Sequence, residues 1–67
     1  MMADFLFHNH GSIWLMIPQN EAASEFASDT LPDDTPMHGN GYAIEPRYVA
    51  DLVTALQDDG FSCQNGG

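Results

Sequence analysis

The sequence predicts a small α+β domain: an antiparallel sheet, opened by an N-terminal hairpin and extended by one or two short strands, with two α-helices on one face. Three observations carry that expectation. Two runs of aromatic and β-branched residues, 5–7 and 13–17, flank Asn9-His10-Gly11, residue types that tolerate positive φ. Val49, Leu52, Val53 and Leu56 recur at i, i+3, i+4 and i+7, the apolar stripe of a helix. Polar and turn-forming residues come in short clusters between such segments, and no linker divides the chain, so residues 1–67 are expected to form one domain.

Taken in order, residues 4–8 and 12–17 read as the two strands of a hairpin. Alternation puts Ile13, Leu15 and Ile17 on one face of the second strand and Trp14 and Met16 on the other. Pro18 ends that strand because it cannot donate to a ladder. Asn20 is a good N-cap for a helix over 21–28, with Ala22, Ala23, Phe26 and Ala27 at helical spacing. Residues 29–40 are dense in turn formers and read as a loop. Residues 41–44 suit a short strand, and Pro46 opens a second helix that Gly60 closes. Residues 61–63 offer an optional last strand, giving ββαβα(β), and 65–67 read as a frayed end. The expected core is Phe5, Phe7, Ile13, Leu15, Ile17, Phe26, Ile44, Val49, Leu52, Val53 and Leu56.

Charge narrows the function classes more than any motif. Ten carboxylates face one arginine, a formal net charge of -9. Such a surface repels nucleic acid and anionic membrane and attracts basic partners. The apolar share of 43% is ordinary for a folded domain and argues against disorder. A lone Cys63 cannot form an intramolecular disulfide, which suits a reducing cytoplasm. The apolar run 13–17 is too short to span a bilayer, and Met1-Met2-Ala3-Asp4 carries an acid where a secretory signal needs basic residues. A soluble, cytoplasmic protein is the expectation.

Catalytic and metal chemistry find little footing. His8 and His10 could present two imidazoles, with His38 and Cys63 completing a zinc site, but turn flanks explain the histidines and no spacing ties them to the cysteine. A nucleophilic Cys63 would need nearby positive charge, and the field here is negative. The pairs Asp33-Asp34 and Asp58-Asp59 lie outside any calcium-loop pattern, and neither a phosphate-binding glycine loop nor a serine–histidine–aspartate set is present. No enzyme activity, cofactor or metal is expected.

The carboxylates form a geometry instead. Glu21, Glu25 and Asp29 are four apart, so on a helix they make one stripe with a rise of about 6 Å between neighbours. Asp33 and Asp34 follow it, and Asp58 and Asp59 form a second cluster in a last helical turn, where the helix dipole opposes them. These seven are the candidate partner-binding residues; their alternative is a solvated face that serves solubility alone. Arg47 can pair with Asp51 one turn on. Trp14 and Met16, left on the open side of a sheet covered once, are candidates for self-association, which would make the protein a homodimer and not a monomer.

Phe5-x-Phe7, Gly11-Ser12-Ile13, Leu15-x-x-Pro18, Glu21-Ala22-Ala23, Glu45-x-Arg47-Tyr48-x-Ala50-Asp51 and Asp59-Gly60 together resemble a group of short acidic proteins from proteobacterial genomes, prophages and other mobile elements. Small acidic proteins of that kind include many anti-CRISPR inhibitors, some similar to nucleic acid in charge layout. The resemblance implies an inhibitor of a basic host protein or nucleoprotein complex, such as a CRISPR effector, inside a bacterial cell. It assigns no functional residue, and the histidine-bearing hairpin departs from the group.

Overall fold

The computed structural model describes residues 3–66. Along them run β1 (Phe5–Asn9), β2 (Trp14–Pro18), α1 (Glu21–Thr30), β3 (Met37–His38), β4 (Gly41–Ile44), α2 (Pro46–Asp58) and β5 (Cys63–Asn65). The strands make one sheet in the order β3-β4-β2-β1-β5. Its first four strands pair antiparallel, while β5 lies parallel to β1, so the small α+β fold carries a mixed sheet. The crossovers β2–α1–β3 and β4–α2–β5 leave antiparallel strands and travel in opposite directions across the sheet. One handedness of crossover therefore sends both helices to the same face.

Local chemistry sets the ends of the helices. The Asn20 side chain accepts from the Ala23 N–H at 2.8 Å and starts α1. Pro32 follows Leu31 and prevents α1 from continuing. Pro46 occupies the first turn of α2, where its missing N–H is no loss. At the other end Gly60 takes φ +90°, and two reversed bonds close the helix: Gly60 N–H to the Gln57 carbonyl and Phe61 N–H to the Leu56 carbonyl, both 3.0 Å. That closure turns the Phe61 ring inward, 5.4 Å from Phe5 and 4.9 Å from Phe26 between centroids.

The core is Phe5, Phe7, Met16, Ala23, Ala27, Ile44 and Leu56, with Trp14, Phe26, Tyr42, Val49, Leu52 and Val53 packed against it. Ile13, Leu15 and Ile17, expected inside, are only half-buried and stand apart from this cluster. Hairpin register decides the matter. A turn of three residues would set Phe7 across from Ile13, but the observed connection is four residues, 10–13, closed by His10 N–H to the Ile13 carbonyl at 2.9 Å. Phe7 then faces Met16 and Phe5 faces Pro18, a register three residues from the expected one, and any odd shift exchanges the two faces. Trp14 and Met16 consequently point toward the helices, and Met16 is 1% exposed. The outer face instead carries Leu6, His8, Leu15, Ile17 and Ala43.

Two further differences from the sequence expectation concern the ends of the sheet. Met37 and His38, placed in a loop, pair with Tyr42 and Gly41 as a two-residue edge strand, with Gly39 at φ +61° in the turn. A last strand exists but at Cys63–Asn65, two residues beyond the expected 61–63, and Gly66 after it donates to the Phe7 carbonyl at 2.7 Å, so residues 65 and 66 are tied to β1 and not frayed. Gly67, at the expected frayed end, lies outside the described residues, as do Met1 and Met2 of the N-terminal segment.

Candidate protein-binding surfaces

All ten carboxylates fall on helices or loops, and none on a strand. Acidic side chains are costly to place on strands that pack against helices, so the fold itself segregates charge from sheet. Glu21, Glu25 and Asp29 occupy exposed positions along α1. Asp33 and Asp34 sit in the turn that follows, held by Thr35, whose N–H and hydroxyl both donate to the Pro32 carbonyl at 3.0 and 2.7 Å. Neighbours in sequence, these two part in space: Asp34 lines a cleft against α2, and Asp33 lines a smaller hollow beside α1 and Tyr42. Asp58 ends α2 and Asp59 caps it.

The cleft has a volume of about 750 Å³. Leu31, Pro32, Asp34 and Pro36 form one wall, Tyr48, Asp51, Leu52 and Ala55 of α2 the other, and Ile13 and Ile44 contribute apolar surface where the sheet ends. Ala43 N–H donates to the Pro36 carbonyl at 2.8 Å, which anchors the loop wall to β4. Glu45 completes the lining. Arg47 does not reach Asp51; its Nε donates to Glu45 at 2.8 Å, and its guanidinium lies 4.9 Å from the centre of the Tyr48 ring. The pair is well exposed, so it fixes a side chain more than it stabilises the fold.

Sequence reasoning missed Glu45, Tyr48 and Asp51 as parts of a site. Their place depends on residues 31–36 folding back over β4, and no local pattern announces that. Tyr48 did leave a signal: it lies off the Val49–Leu52–Leu56 stripe, and the structure leaves it 51% exposed.

Asp4 has a structural task. Its carboxylate accepts from the Asn20 amide at 2.8 Å and from the Ser62 N–H at 3.0 Å, joining the start of β1 to the cap of α1 and the approach to β5. The Ser62 N–H first, then Asn20, hold its pKa below the ordinary aspartate value. Cys63 lies half-buried on the edge strand β5; burial pushes its thiol pKa up, and the Asp4 charge adds to the effect. The His8 and His10 rings are 6.2 Å apart. Among the described residues no three His, Cys, Asp or Glu side chains are grouped to hold a metal ion. No helix among them is long and apolar enough to cross a membrane.

Compared with models of protein families, with curated proteins and with solved structures, the chain matches none.

Proposed function

We propose that this chain is a non-enzymatic interaction protein whose acidic helical side occupies a basic, nucleic-acid-binding surface of a host protein in the bacterial cytoplasm. Inhibition of the anti-CRISPR kind is its most specific form. The observation that supports it most is the confinement of ten carboxylates to helices and loops, with the one arginine already matched by Glu45. Such a surface speeds encounter with a cationic groove and competes there with phosphate. Capture from a bacterial lysate tests it: the partner should be basic and should elute with added salt or duplex DNA. Replacing Glu21, Glu25 and Asp29 by lysine should weaken capture and leave the fold intact. A partner held equally well at low and high salt, and indifferent to DNA, would sink the proposal.

One observation favours a second reading, an assembly module that pairs with its own copy. The outer sheet face presents Leu6, Leu15 and Ile17 with no charged residue on any strand. Two such faces can meet while both acidic sides point away from each other. This reading moves the contact from Trp14 and Met16, which face the core, to their strand neighbours. Light scattering over a concentration series, repeated with Leu15→Lys, decides it; a strict monomer at every concentration removes the reading.

A further inference from the structure

We propose that the cleft between α2 and the 31–36 loop is a docking site for a short partner segment in which an apolar side chain is flanked by lysine or arginine. This rests on the reading of a basic partner and deepens it by naming the surface. The volume of about 750 Å³ falls within the range of ligand pockets, roughly 300–1,000 Å³. Its interior is apolar, with Leu31, Ile44, Leu52 and Ala55 facing the space. Carboxylates stand on opposite walls, Asp34 on the loop and Asp51 on the helix. Neither has a cation partner among the described residues, because Arg47 is engaged by Glu45.

That layout selects the chemistry of the occupant. An apolar group alone would leave the two carboxylates unmatched, and a polycation alone would leave the apolar walls in water. A segment with one cation before the apolar residue and one after it satisfies both walls at once. Tyr48 adds a half-exposed aromatic ring at the cleft, against which the apolar side chain of the occupant can pack while Arg47 covers one face of the ring. The loop wall is pre-formed by the Thr35–Pro32 turn and the Ala43–Pro36 bond, so little ordering is required on binding.

An amide-shift NMR titration with two synthetic peptides tests the site. One carries a leucine–phenylalanine pair between lysines; the other has equal charge and serine at the apolar positions. The first should saturate, with shifts centred on Ile44, Tyr48, Leu52 and Ala55, and the second should give weak shifts spread over the acidic surface. Ala55→Arg, at an exposed helix position that needs no repacking, should lower the affinity of the first peptide about tenfold or more by filling the cleft with like charge. Equal shifts from both peptides, or unchanged binding by Ala55→Arg, would overturn the proposal. The two readings fail separately. If lysate capture survives Ala55→Arg and is lost with the lysine-substituted α1, the cleft falls and the basic-partner reading stands. If the peptide binds as described while no partner competes with DNA, the cleft stands and that reading falls.

Discussion

Asp4 shows how one side chain couples distant parts of a small domain. Because the Ser62 and Asn20 donors favour its ionised form, the unfolded chain takes up the Asp4 proton at a higher pH than the folded one. The stability it contributes is complete above the ordinary aspartate pKa of about 3.9 and drains away as pH falls through the lower folded value. Asp4→Asn should therefore lower the urea midpoint at pH 7 and flatten the fall in stability below about pH 4. An acid limb identical to that of the parent would show that the carboxylate is not coupled to folding. Gly60 is the other critical residue, at φ +90° where the α2 closure demands it and with open space around a would-be side chain. Gly60→Ala is expected to cost about 1–2 kcal/mol from backbone strain alone, read as a lower melting temperature with unchanged circular dichroism.

At the scale of elements, the helices were legible in the sequence and the faces of the hairpin were not. Asn20, Pro46 and Gly60 are local signals, and each acts within a turn of its own position. The register of β1 on β2 turns on whether three or four residues make the connection at Asn9 to Ile13, and composition does not count them. That odd shift of register moved Met16 into the core and Leu15 out of it. The strand β3 escaped notice because two residues give no alternation to read, and the cleft because its walls come from separate elements. Leu56→Ala, at a side chain 1% exposed, should destabilise by about 2–5 kcal/mol, and Leu15→Ala by clearly less. Urea unfolding of the two variants checks the face assignment; the opposite ranking would restore the three-residue turn.

For the whole molecule, a charge of -9 within principal extents of 27 × 25 × 22 Å means that carboxylates repel one another across most of the surface. The Debye length is about 10 Å at 0.1 M salt and about 3 Å at 1 M, so added sodium chloride should screen this repulsion and raise the melting temperature. A melting temperature that falls with salt would mean that attractive pairs dominate, against the one ion pair, Arg47–Glu45, present among the described residues. The sheet bears on a different question, the order in which the chain can assemble. β1 is synthesised well before β5, its neighbour in the sheet, and Asp4 meets Ser62 across 58 residues. Phe5, fully buried in the finished domain, waits for Phe61. Until the last strand emerges, the nascent chain holds an uncovered strand edge with two phenylalanines, a surface that sticks readily to chaperones or to neighbouring chains. Folding of this domain is thereby deferred until residues 61–65 have been made, and a ribosome stalled before residue 61 would hold a chain with a hairpin and helices but no closed core.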